Sequence, residues 1–114
     1  MFGVKEIDAA SLKERMDKGE EIQLLDVRSQ AEFAQGIIAG GEFVPLHTVP
    51  LKMNDFSKDK TLVIYCRSGA RSAQACSFLD QNGGIEALNL RGGIISWYQS
   101  GFEIVKPDTM QAQG

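Results

Sequence analysis

The run Thr61–Tyr65 limits the fold of this chain more than any other segment. Thr-Leu-Val-Ile-Tyr is β-branched, aromatic or apolar at every position, and five residues are too few for a stable helix. An earlier apolar run, Ile22–Asp26, is expected to be buried on both faces, as strands are in a parallel sheet flanked by helices. The rest of the chain has the pieces for such a sheet. Residues 4–7 read as a short first strand. Asp8 caps a helix running to about Lys18, with Leu12 and Met16 on one face and Gly19 just beyond. Ile22–Asp26 is a second apolar strand. Ser29 and Glu32 form a Ser-x-x-Glu capping box for a short helix that Gly36 ends. Residues 39–60, with Pro45 and Pro50, read as mostly loop, with a short strand near Phe43 and Val44. A helix over residues 71–81 stops at Asn82, Gly83 and Gly84. Residues 87–90 make a last strand, and Gly92-Gly93 turns into a short helix that carries Ile94 and Trp97 into the core. Strands alternating with helices predict an α/β fold with a largely parallel sheet.

The 114 residues fit one domain, taken as residues 1–105, followed by a polar tail over 106–114 expected to fray from Pro107. The formal net charge is -3 and basic residues are scattered among acidic ones, which argues against a nucleic-acid partner. No apolar run approaches the length of a membrane span, so no membrane partner is expected. Residues 1–8 lack the long apolar stretch of a signal peptide, so the expected compartment is the cytoplasm. There the two cysteines, Cys66 and Cys76, should stay reduced. They lie ten residues apart, at one end of a helix and inside it, and are poorly placed for a disulfide. No metal and no organic cofactor is expected.

The chemistry concentrates in Cys66-Arg67-Ser68-Gly69-Ala70-Arg71-Ser72, between the best strand and a helix. Ligands of open α/β sheets bind beyond the carboxyl ends of strands, and Cys66 sits at one. A short turn opened by Gly69 can aim successive N–H groups inward as an anion nest, and the helix adds its positive end. Arg67 and Arg71 are the only charged side chains in residues 62–79. Cationic neighbours and a helix start lower a thiol pKa. The expected result is a reactive thiolate beside an anion pocket, its side chain not sealed in the interior, with small anionic substrates electrophilic at sulfur or a similarly soft atom.

Plainer readings compete with this one. A strand-end cysteine on its own is most often a buried packing residue, and only the flanking arginines, Gly69 and the helix start reverse that for Cys66. Cys76, at helical spacing from Ala73 and Leu79, is expected in the core. Arg28 and Glu32, four apart, suggest a structural ion pair, and Asp26 is expected to support a loop. His47, the single histidine, is expected to be a surface or packing residue, since nothing in the sequence places it at the thiol.

Three segments together resemble the rhodanese family over about residues 4–102. Leu24-Leu25-Asp26-Val27-Arg28 with Glu32-Phe33 resembles its Asp-x-Arg strand end and Glu-aromatic helix. Residues 62–72 resemble its active-site strand and Cys-Arg-x-Gly-x-Arg-Ser loop. Leu90-Arg91-Gly92-Gly93-Ile94 with Trp97 and Gly101 resembles its closing Gly-Gly…Trp…Gly segment. Where the family usually continues Gly-His-Ile, this chain has Gly36-Ile37-Ile38. The resemblance implies a central sheet of about five strands flanked by helices on both faces. It also implies that Cys66 is the nucleophile, and that the backbone of Arg67, Ser68, Gly69, Ala70 and Arg71 lines the anion pocket, with Asp26, Arg28 and Ser72 in support. The expected activity moves sulfane sulfur from thiosulfate or a similar donor to a thiophilic acceptor: cyanide, a thiol or a protein cysteine.

Two other functions stay open at this level. A Cys-based phosphatase or arsenate reductase shares the thiolate-in-a-nest logic, but generally needs five residues between Cys and Arg. Cys66 and Arg71 enclose four. A persulfide carrier acting with a partner protein would keep the cysteine and leave the chemistry to its partner.

Overall fold

The computed structural model describes residues 3–107. Five strands, β1 (Lys5–Ile7), β2 (Ile22–Asp26), β3 (Glu42–Phe43), β4 (Thr61–Tyr65) and β5 (Leu88–Leu90), form one sheet in the order β1-β5-β4-β2-β3. Every pairing is parallel. The apolar run of β4 is central, with β2 paired from Ile22↔Thr61 to Asp26↔Tyr65 on one side and β5 on the other. Five helices accompany the sheet: α1 (Ala9–Asp17), α2 (Gln30–Gln35), α3 (Val49–Lys52), α4 (Ala70–Gly83) and α5 (Gly93–Gln99).

Strand side chains point alternately to the two faces, and the two halves of the core follow that alternation. Leu25, Leu62 and Ile64 pack with Val49 of α3 and with Ala75 and Leu79 of α4. Leu24, Val63, Tyr65 and Leu90 pack with Leu12 of α1 and with Ile94 and Trp97 of α5. The sheet is therefore buried on both sides, as its unbroken apolar strands require. Local signals start the helices where the sequence suggests. Asp8 accepts from the Ser11 amide at 2.7 Å, and Ser29 and Glu32 close their capping box on α2.

From β2 the chain moves outward to β3, and from β4 it moves the opposite way to β5. The carboxyl ends of β2 and β4 thus flank a topological switch point, where open α/β sheets place their ligand sites. Asp26 and Arg28 leave β2 there, and Cys66 leaves β4.

Several expectations need correction. Within the loop-rich residues 39–60, α3 and two 3-10 turns, Leu46–Thr48 and Met53–Asp55, follow β3, where the sequence suggested only a short strand. Such short turns have too little periodicity to announce themselves. α4 starts at Ala70 and runs through Gly83, ending on Gly84 in the left-handed conformation. Arg28 does not pair with Glu32. It precedes the Ser29 cap and lies off α2, so helical spacing does not apply to it. Its guanidinium instead grips Asp26 from Nε at 2.9 Å and Nη2 at 2.6 Å, and Nη2 also donates to the Gly36 carbonyl at 2.7 Å. Ile37 is buried and bridges Val105 in antiparallel fashion, so the apolar residue there anchors the segment after α5. The tail from residue 108 lies outside the described residues.

Asp26 and Arg28 are both buried. Removing one member of a buried, hydrogen-bonded ion pair leaves the other uncompensated. Asp26→Ala should therefore cost about 3–5 kcal/mol in urea unfolding. A loss below about 1 kcal/mol would show that water, not Asp26, satisfies the guanidinium.

Candidate active site

Cys66 follows β4 directly, and the loop after it curls back so that its amides face the sulfur. The Gly69 amide donates to Cys66 Sγ at 3.1 Å and the Ser72 amide at 3.5 Å. The Ser72 hydroxyl lies 3.4 Å from the same sulfur. Gly69 adopts φ +110° as the residue before α4, a backbone conformation that disfavours any side chain. The loop carbonyls turn the other way. Those of Cys66 and Arg67 accept from the Ile94 and Ile95 amides at 2.9 and 3.2 Å. Among the described residues the Ala70 and Arg71 amides, in the first turn of α4, have no hydrogen-bond partner. A helix start leaves such donors for an anion.

The two cysteines show what the cradle does. Both are buried, Cys66 with 1% and Cys76 with 3% of its surface exposed. Burial, with smaller contributions from the neighbouring Cys66 and Glu6 charges, pushes Cys76 up to about 12. Burial pushes Cys66 up as well. There the hydrogen bonds from the Ser72 hydroxyl and amide, and from the Gly69 and Ser68 amides, outweigh it and hold the thiol below its usual value. The arginines are not among the main causes, contrary to the expectation from the sequence. The donors are backbone amides and one hydroxyl.

The expectation of an open thiol is not met. The sulfur is buried among its own donors, while Arg67, Ser68 and Ala70 of the same loop are exposed. Two clefts lie nearby and neither is lined by Cys66. One of about 380 Å³ includes Arg67, Arg28, Ile94 and Tyr98. Another of about 500 Å³ includes Arg71, Arg28, Phe43 and His47. A thiol this buried favours a small reagent over a bulky one.

The remaining predicted residues divide by partner. Arg71 is clamped by Glu32, from Nη1 at 2.8 Å and Nη2 at 3.0 Å, which ties the start of α4 to α2. Arg67 is exposed, and its guanidinium has no partner among the described residues. His47 is exposed on the wall of the second cleft and makes no bond to Cys66. Among the described residues there is no group of three or more His, Cys, Asp or Glu side chains arranged to hold a metal. No described helix is long and apolar enough to cross a membrane.

Two residues of the site went unrecognised in the sequence. Asn89, buried in β5, accepts from the Ser72 hydroxyl at 2.5 Å and donates to the Gly69 carbonyl at 3.2 Å. The available signal was a polar residue between Leu88 and Leu90 in a buried strand, where it must find partners. Gly93, at φ +62°, lies so close to the Cys66 and Arg67 carbonyls that a Cβ would collide with backbone. The Gly-Gly pair was visible, but its role against the loop was not.

The clamp on Arg71 gives a pH test. Hydrogen bonds from Arg71, opposed by burial and helped by Ser29, hold Glu32 down at about 2. A depressed carboxylate adds stability that is present above its unfolded value and lost as the pH falls through its folded one. The contribution should vanish between about pH 4.5 and about pH 2. Glu32→Gln should flatten the fall in stability over that window when unfolding is followed by urea titration at successive pH values. An unchanged slope would place the pair's contribution at zero.

Comparison with known proteins gives a consistent result. The sequence matches the rhodanese-like domain over residues 8–100. A sulfurtransferase of Allochromatium vinosum is 50% identical over 105 residues, spanning 92% of this chain and 98% of that protein. The putative sulfurtransferase YtwF of Bacillus subtilis is 40% identical over 94 residues, spanning 82% and 90%. Among solved structures, a rhodanese-related protein from Thermoplasma volcanium superposes with a TM-score of 0.80 at 34% identity, covering 89% of this chain and 97% of that one. With its five-stranded parallel sheet and a match spanning most of its length, this chain belongs to the rhodanese-like domain family.

Proposed function

We propose that the chain is a sulfurtransferase that carries sulfane sulfur on Cys66 as a persulfide. The observation that carries this reading is the sulfur held by the Gly69 and Ser72 amides at the start of a 14-residue helix, with its pKa lowered despite burial. The Cys66 thiolate attacks the outer sulfur of thiosulfate. A new S–S bond forms to Cys66, the S–S bond of thiosulfate breaks, and sulfite leaves with the bonding pair. The Ala70 and Arg71 amides and the Arg67 guanidinium, without partners among the described residues, are suited to hold its oxygens. A thiophilic acceptor then attacks the outer sulfur of the persulfide and returns Cys66 as thiolate. Cyanide leaves as thiocyanate; a thiol loses its proton and becomes the next persulfide. Asp26 and Arg28 hold the end of β2, while Arg71 serves mainly through Glu32. The cytoplasm, where thiols stay reduced, suits this cycle.

The clamp on Arg71 also weighs against a phosphatase, which needs its loop arginine free for the oxyanion. Carriage for a partner protein differs from turnover only in what discharges the persulfide. Retention of sulfur against both cyanide and small thiols, with release to a protein cysteine, would mark a carrier.

Intact-mass measurement after thiosulfate treatment should show one added sulfur, located on Cys66 and absent from Cys66→Ser. A persulfide that survives Cys66→Ser, or no loading by any sulfane donor, contradicts the assignment. Aryl phosphate offered in parallel should not turn over. Because the thiol is covered, loading by thiosulfate should also outpace modification by a bulky thiol reagent.

A further inference from the structure

The geometry points to Asn89 as a positioning residue for the Cys66 thiol, acting by competing with the sulfur for the single hydroxyl proton of Ser72. This rests on the reading of Cys66 as the reacting sulfur. Ser72 and Asn89 are both buried, so neither can turn to water. Ser72 Oγ lies 2.5 Å from Asn89 Oδ1 and 3.4 Å from Cys66 Sγ. A hydroxyl has one proton to give, and here two acceptors face it. The Asn89 amide cannot reverse to relieve the contest. Its Nδ2 donates to the Gly69 carbonyl at 3.2 Å and to Glu6 Oε2 at 3.4 Å, so a reversed amide would set oxygen against two acceptors.

With the sulfur protonated, S–H donates to Ser72 Oγ, Ser72 donates to Asn89 Oδ1, and every group is satisfied. With the sulfur ionised, either the hydroxyl turns to Sγ and Asn89 Oδ1 loses its donor, or it stays and the sulfur keeps only amides. In both cases the Asn89 acceptor favours the thiol over the thiolate. It opposes the amide cradle and keeps the anion from becoming too stable. Thiol nucleophilicity falls along with pKa, so such a counterweight preserves reactivity.

The charged groups around this relay are already committed. Glu6 of β1 accepts from Arg91, Glu32 of α2 from Arg71, and Asp26 of β2 from Arg28. Arg67 in the loop and Cys76 on α4 complete the set; of these groups only Glu6, which also accepts from Asn89 Nδ2, loses a partner in the variants below, and it does so equally in the Ser72→Ala background.

The test is the pH dependence of Cys66 alkylation by iodoacetamide, read by mass spectrometry on the Cys66 peptide with no sulfur donor present. Asn89→Ala should lower the apparent thiol pKa by about one unit, the worth of one net hydrogen bond. Asn89→Asp keeps the acceptor and adds a charge, and should raise it. Ser72→Ala should abolish the effect of Asn89→Ala. Shifts of the same sign for Asn89→Ala and Asn89→Asp would overturn the inference, because a merely structural role predicts them. So would an Asn89→Ala shift that persists in the Ser72→Ala background, and that cycle decides alone if Asn89→Asp does not fold. Thiosulfate loading of the unaltered protein, measured separately, shows whether the sulfur-transfer reading has failed instead.

Discussion

One buried sulfur facing backbone amides sets the terms for the rest of this structure. An apolar interior opposes charge on a thiol, and Cys76 shows how strongly when nothing compensates. At Cys66 the balance is reversed by oriented donors rather than by charged side chains. Amides fixed by the chain keep their orientation without a rotamer cost, and a low dielectric strengthens each of them. The same contacts surround the buried sulfur. Activation and occlusion are therefore one feature of the loop, and a small anion that displaces little of it is the natural reactant.

The amides can face inward only because the carbonyls are held outward by other elements. The start of α5 takes two of them, and the Gly69 carbonyl is shared between the Ala73 amide of α4 and Asn89 of β5. Gly93 lets α5 come close enough to do so, and Gly69 supplies the turn that opens α4. Beneath the loop, β4 is locked between β2 and β5. The Asp26–Arg28 pair and the Arg71–Glu32 clamp tie β2, α2 and α4 around the same end of the sheet. The cradle thus depends on residues spread across most of the chain.

Much of this was legible in the sequence where the signal was local. The composition of Thr61–Tyr65 marked a strand, the apolar run Ile22–Asp26 one buried on both faces, and the Ser29–Glu32 box and the Asp8 cap announced their helices. The loop after Cys66 was recognisable because strand, turn and helix start are contiguous. What stayed hidden depends on partners distant in sequence. Glu32 pairs across 39 residues with Arg71, whereas its near neighbour Arg28 lies off the helix and turns to Asp26. Asn89 acquires a role only when β5 pairs beside β4. The burial of the thiol was missed for a related reason: sequence shows which donors exist, not that the sulfur is buried among them.

The central claim is that oriented donors, the Ser72 hydroxyl and the loop amides, lower the pKa of a buried sulfur below its usual value. The most direct measurement is a titration of the thiolate ultraviolet absorbance in Cys76→Ala protein, which leaves Cys66 as the only thiol. The account predicts a transition below the usual thiol value of about 8.5. A transition at or above that value would mean that burial wins over the cradle, and Cys66 would then be a packing residue.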